Sequence, residues 1–147
     1  MNSDFLDMLS ALSAENVEFM VVGAYALAAH GYPRATGDID IWIRRSAENA
    51  QRVWKALLLF RAPLYDLRIA DLENPDIVFQ VGIAPRRIDI LTSISGVEFD
   101  EAWPFRKEIL LSGQRVAVIG REQLLQNKKA TGRPKDLADA AWLESQE

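Results

Sequence analysis

Apolar residues along the chain recur with two periods, and the change from one to the other marks out the elements. Phe5, Leu6, Met8, Leu9 and Leu12 follow the 3.6-residue spacing of a helix, with Ser3 placed to cap it. Residues 17–23, VEFMVVG, read as a short strand ending in glycine, and residues 24–31, AYALAAHG, as a short alanine-rich helix closed by Gly31. A loop, YPRATG, leads into the strand DIDIWI at 38–43. Ser46 caps a longer helix carrying Val53, Trp54, Leu57, Leu58 and Phe60. Residues 62–75 are mostly irregular, with room for one helical turn. DIVFQVG (76–82) and RIDILTS (87–93) read as two strands joined by IAPR. Residues 107–120 predict a hairpin turning at Ser112 and Gly113. A helix over 121–132 stops at Gly132, and Pro134 suits the first turn of a final helix through Leu137, Ala141 and Trp142.

Strands and helices mix here without strict βαβ alternation. The expected class is α/β in the broad sense, shading into α+β: a mixed central β-sheet flanked by helices, with helices at the C-terminal end. The length of 147 residues suits a single domain, 1–147, large enough to bury a core without staples. The chain has no cysteine, which removes disulfides, zinc–thiolate sites and thiol nucleophiles together and fits a cytoplasmic protein. The first residues have no basic segment and no continuous apolar run, so neither a signal peptide nor a membrane span is expected. The net charge of −4 does not advertise nucleic-acid binding. Residues 104–135 nevertheless hold eight basic residues against two acidic ones. That segment is open to two readings, a surface for a nucleotide or an RNA end and a set of solvated faces.

The chemistry is concentrated in GDIDIWI. Ile39, Ile41 and Ile43 alternate with Asp38 and Asp40, so both carboxylates project from one face of an apolar strand. Like charges so placed repel, and burying either without a partner costs on the order of several kcal/mol. Asp89, between Ile88 and Ile90, repeats the arrangement on a later strand. If the two strands are neighbours, Asp38, Asp40 and Asp89 converge, and oxygen donors of this kind suit one or two Mg²⁺ ions. The competing reading has Asp38 or Asp40 capping the turn after Gly37, and Asp89 paired with Arg86 or Arg87. Gly23, where a strand turns into a helix, adds a place where backbone N–H groups can approach a phosphate.

Gly23 and Ala24, a spacer, Asp38-x-Asp40, and Asp89 on a later strand together resemble the DNA polymerase β-like nucleotidyltransferase superfamily. Three segments, AAHGYPRATGDIDIWI, QVGIAPRRIDILTSISGVEFDEAW and KKATGRPKDLADAAWL, are similar to those of its small single-domain bacterial members, including relatives of abortive-infection toxins. The likeness extends from about residue 17 to 142. It implies a cytoplasmic, Mg²⁺-dependent enzyme (two ions, with Mn²⁺ as a substitute) that moves a nucleoside monophosphate from an NTP such as ATP to a hydroxyl and releases pyrophosphate. Asp38 and Asp40 would hold the metal ions, and Asp89 would complete the second metal site and help to activate the acceptor. Gly23 and Ala24 would contact the triphosphate, and Lys128 and Lys135 would face the nucleotide. Acceptors in such a family are RNA ends, protein side chains or small molecules, and a partner protein, as in a toxin–antitoxin pair, is implied as well. Ala24 departs from the usual glycine or serine, which removes a hydroxyl from the phosphate site.

Several residues have two readings. Arg34 and Thr36 either contact phosphate and order the loop, or are a solvated cation and a turn cap. Asp136 is either a helix-start residue or a partner to a cation. The single histidine, His30, reads as a packed or C-capping residue rather than a metal ligand. Trp42, Trp54, Trp103 and Trp142 read as core or interface aromatics, with Trp42 also placed to stack on a base. The alternatives to a transferase are a binding module on the same fold, which Ala24 favours, and a metal-dependent phosphohydrolase.

Overall fold

The structure, a computed structural model, describes residues 2–32, 37–83 and 86–146. In chain order the elements are helix α1 (Ser3–Ala14), strand β1 (Phe19–Val22), helix α2 (Gly23–Ala29), β2 (Asp38–Ile43), α3 (Ala47–Phe60), a 3₁₀ turn (Ile69–Glu73), β3 (Val78–Ile83), β4 (Arg86–Leu91), a short α4 (Phe99–Ala102) continued by a 3₁₀ turn (Trp103–Phe105), β5 (Lys107–Leu111), β6 (Gln114–Val118), α5 (Arg121–Thr131) and α6 (Pro134–Ser145). The expected mixed α/β architecture is present. The 99–105 segment is the addition, where no periodicity marked an element.

The cap of α1 lies one residue earlier than expected. Asn2 accepts hydrogen bonds through Oδ1 from the N–H groups of Asp4 (2.8 Å) and Phe5 (3.3 Å), so Ser3 is the first helical residue. Asparagine caps as well as serine, and the side chain already outside the helix takes the role. At α3 the expectation holds: Ser46 Oγ accepts from the Asn49 N–H at 3.1 Å.

The six strands form one sheet in the order β3-β4-β2-β1-β6-β5. β2 runs parallel to β4, and β1 parallel to β6; the remaining neighbours are antiparallel. Ile39, Ile41 and Ile43 are fully buried, as is Met20 on β1. α1 packs on α3, and their apolar faces cover one side of the sheet. α5 and α6 pack on each other near the opposite side.

Asn49, 1% exposed, ties the central strands together. Its Oδ1 accepts from the Glu18 N–H (2.8 Å), and its Nδ2 donates to the carbonyls of Glu18 (3.0 Å) and Arg44 (2.9 Å). The residue before β1 and the residue after β2 are thereby held to the start of α3. Asn49→Ala strands these backbone groups in a buried site, and urea unfolding is expected to show a loss of about 3 kcal/mol. A loss within error of zero would mean that the strand pairing alone holds this junction.

Candidate active site

The parallel register between β2 and β4 sets Asp40 directly beside Asp89, and Asp38 beside Arg87. Side chains paired in register share a face, so three carboxylates and one guanidinium emerge together on the side away from α1 and α3. The convergence expected from the sequence therefore exists. It depends on the strand order, since β2 and β4 are neighbours although α3 and β3 separate them along the chain.

Arg87 lies between two of the carboxylates. Its Nε donates to Asp89 Oδ1 at 2.9 Å, and its Nη2 donates to Asp89 Oδ2 and to Asp38 Oδ2, each at 3.3 Å. The arginine pairing weighed as an alternative is thus present, at Arg87, within the carboxylate cluster. Asp40 is left with the largest electrostatic burden. Burial, then the charge and hydrogen bond of Asp89, then the charge of Asp38, push its carboxyl up to about 6, against an opposing pull from Lys128.

Asp40 also explains Gly23. Gly23 opens α2 at φ +69°, a conformation that L side chains rarely adopt, and a Cβ there would sit 2.2 Å from Asp40 Oδ2. The glycine is needed first for the close approach of a carboxylate.

The other wall is built by α5 and α6. Gly132, at φ +69° and ψ 0°, ends α5, and Pro134 starts α6, so the chain reverses within a few residues. The last turn of α5 and the first of α6 then face each other. Lys128 Nζ lies 3.2 Å from Asp136 Oδ1 and 3.4 Å from Asp139 Oδ2. Asp136 Oδ2 accepts from Thr131 Oγ1 (2.7 Å) and Arg133 Nε (2.8 Å). Burial alone would raise the Asp136 carboxyl; hydrogen bonds from Thr131, Lys128 and Arg133 outweigh it and hold the group below the usual carboxylate range. Asp136 is accordingly a partner to cations.

Between these walls lies a cleft of about 630 Å³. It brings together Gly23, Ala24, Asp38, Asp40, Asp89, Lys128 and Lys135, all singled out from the sequence. Arg34 and Thr36 lie outside the described residues. Thr131, Arg133 and the bridging role of Arg87 complete the cleft. The one sequence signal for Arg87 is its spacing of two from Asp89, which puts both on one strand face. Asp139 was missed altogether; its spacing of three from Asp136 is the signal that places both on one side of α6. A second cavity, of about 520 Å³, opens on the α1–α3 side, where Asp4, Asp7 and Arg86 replace the strand carboxylates.

Two aromatic and imidazole expectations resolve here. Trp42 is 1% exposed and meets the Phe99 ring edge-on at 5.1 Å, so it is core and cannot stack on a base. His30 is the C-cap residue of α2, with Nε2 2.8 Å from the Ile119 carbonyl.

As arranged, no three acidic or imidazole side chains among the described residues form a ready metal cage. Arg87 instead holds Asp38 and Asp89 through its guanidinium. The donor set is still all carboxylate oxygen, with repulsion from Asp89 and Asp38 at Asp40 that Lys128 only partly offsets, which suits a hard cation such as Mg²⁺ in kind. A metal there would have to displace the guanidinium from part of this set.

No protein-family model matches the chain, and neither does any curated protein sequence. Solved structures do. A candidate nucleotidyltransferase of Thermotoga maritima is 17% identical with a TM-score of 0.62, covering 97% of this chain and 91% of its own. The antibiotic-resistance factor ANT(2″)-Ia in solution is 15% identical with a TM-score of 0.65, over 97% of this chain and 82% of its own. The same factor crystallised with adenylyl-2″-tobramycin is 16% identical with a TM-score of 0.63, over 96% and 86%. Together with the strand-borne carboxylates, these likenesses show that the chain has the nucleotidyltransferase fold.

Proposed function

We propose that the protein is a metal-dependent nucleotidyltransferase, moving a nucleoside monophosphate from an NTP to a hydroxyl acceptor. The observation that carries this reading is the register of Asp40 against Asp89, with Asp38 on the same face and the Lys128 ammonium across the cleft. Asp38, Asp40 and Asp89 would hold one or two Mg²⁺ ions, with Mn²⁺ as a substitute. The chemistry that such ions supply when bound is neutralisation of triphosphate charge and polarisation of the α-phosphorus. Lys128 and Lys135 bind phosphate oxygens. Gly23 and Ala24 bring backbone close to the same group. Asp89 orients the acceptor hydroxyl and takes its proton. The acceptor oxygen bonds to the α-phosphorus, the bond from that phosphorus to the bridging oxygen breaks, and pyrophosphate leaves. Arg34 and Thr36 are proposed to order the loop ahead of Asp38 or to meet phosphate.

One neighbour by fold carries an adenylylated aminoglycoside, so a small-molecule alcohol stands beside an RNA end or a protein side chain as acceptor here. A role as a toxin–antitoxin component, acting in the cytoplasm on cellular NTPs, belongs to the same proposal. Among the described residues no helix is long and apolar enough to cross a membrane.

The test is transfer of label from each α-³²P NTP to total RNA, total protein and a set of aminoglycosides with Mg²⁺, using the Asp38→Ala/Asp40→Ala protein as control. Label that needs the aspartates supports the enzyme and names its acceptor class. NTP binding without label or pyrophosphate would instead establish the second reading, a binding module without turnover. That reading is favoured by Arg87, which already neutralises part of the carboxylate cluster.

A further inference from the structure

Asp139 is 0% exposed, yet it is a carboxylate. Its neighbour across the helix pair, Lys128, is 8% exposed, and Asp136 is 5% exposed. α5 and α6 pack on each other, and Leu124 on α5 and Leu143 on α6 are buried in the apolar core, so apolar burial is available to join them. An ion pair in such a place is a poor means of adding stability, because desolvation consumes most of the Coulomb gain. The position of the lysine gives the pair another use. Lys128 lines the cleft and pulls on the Asp40 carboxylate, while Asp139 stands behind it and does not line the cleft.

An ammonium has three donors on a flexible four-carbon stem. Lys128 Nζ donates to Asp136 Oδ1 at 3.2 Å and is ion-paired with Asp139 Oδ2 at 3.4 Å, while the lysine itself lines the cleft. Asp136 is shared, since its other oxygen serves Thr131 and Arg133. Asp139 is the second buried carboxylate at Lys128, and without it Lys128 keeps only Asp136, which Thr131 and Arg133 already share.

We propose that Asp139 is a positioning residue that fixes the Lys128 ammonium toward the cleft in advance of nucleotide binding, so that the lysine meets the phosphates without rearrangement. This rests on the nucleotide reading of the cleft given above. It assigns a role to a residue that touches neither substrate nor metal.

The test is a double-mutant cycle on the dissociation constant of an α,β-methylene NTP with Mg²⁺, measured by calorimetry, with the melting temperature of each protein recorded alongside. Asp139→Asn is expected to weaken binding about tenfold, as loss of a close buried charge partner does. In a Lys128→Met background it is expected to add nothing, because the group it acts through is gone. Additive losses, or unchanged affinity with a lowered melting temperature, overturn the proposal and leave Asp139 a helix staple. Should Asp139→Asn fail to fold, Lys128→Met/Asp139→Leu removes both charges of this pair, leaves Asp136 to Arg133, and is compared with Lys128→Met alone. Equal affinity supports the proposal, and a further loss overturns it. If the wild-type protein binds no nucleotide of any base, the proposed function falls and this inference with it. Binding by wild type that Asp139→Asn leaves untouched sinks this inference alone.

Discussion

Asp40→Asn is expected to lower nucleotide transfer about a thousandfold while making the metal-free protein more stable at neutral pH. The loss follows from removing a charged oxygen ligand at the centre of the carboxylate cluster, where catalysis by charge neutralisation is concentrated. The gain follows from the same environment. Burial and the adjacent Asp89 raise the Asp40 carboxyl to about 6 in the fold, from 3.8 as its ordinary value. Between these values the folded state binds a proton that the unfolded state has released, so stability falls as pH rises through roughly 4 to 6. Above that window the fold carries the whole cost of a buried, repelled charge, on the order of 2–3 kcal/mol for a shift of this size. Asparagine keeps a hydrogen bond for Asp89 without the charge. Urea unfolding in EDTA at pH 7.5 should therefore favour Asp40→Asn, and the advantage should vanish near pH 4. Added Mg²⁺ should stabilise the wild type and leave the variant unmoved. A variant that is less stable at both pH values would mean that Asp40 is compensated in the fold by more than Lys128.

Gly23→Ala is the second large effect, expected to reduce transfer about a hundredfold, in keeping with the cost of displacing a reacting group by an ångström. The new Cβ would lie 2.2 Å from Asp40 Oδ2 and 3.1 Å from Asp40 Cγ, so the carboxylate must leave its present position to admit it. Stability should fall as well, by about 1–2 kcal/mol from the left-handed backbone alone. Gly132→Ala separates the two causes. Gly132 has the same φ of +69°, but a Cβ there meets nothing within 4 Å. Its loss of stability measures the backbone part, and any excess at Gly23 is the contact with Asp40. Retained activity in Gly23→Ala would show that Asp40 does not need the orientation it has here.

The line between what was legible in the sequence and what was not follows the range of the forces involved. The alternation in DIDIWI, the Ser46 cap and the Gly132–Pro134 reversal are local patterns, and each appears in the structure where the residues place it. The shift of the first cap from Ser3 to Asn2 is a choice between adjacent cappers, settled when Asn2 takes the amides of Asp4 and Phe5. Trp42 could not be judged locally. Its strand position fits either an exposed or a buried ring, and in the fold Phe99, arriving from a distant segment and stacked on Trp103, packs against it.

For the candidate site, the sequence by itself determined which carboxylates share a strand face, because side-chain direction in a strand is a two-residue property. It also determined that a glycine precedes them and that cations crowd the α5–α6 junction. Tertiary structure decided that Asp40 stands against Asp89, that Arg87 reaches Asp38 across the strand gap, and that Lys128 is held by Asp136 and Asp139. Those facts depend on which strands become neighbours and how two helices close on each other. Such long-range choices are made by burial of the whole core, and no window of a few residues carries them.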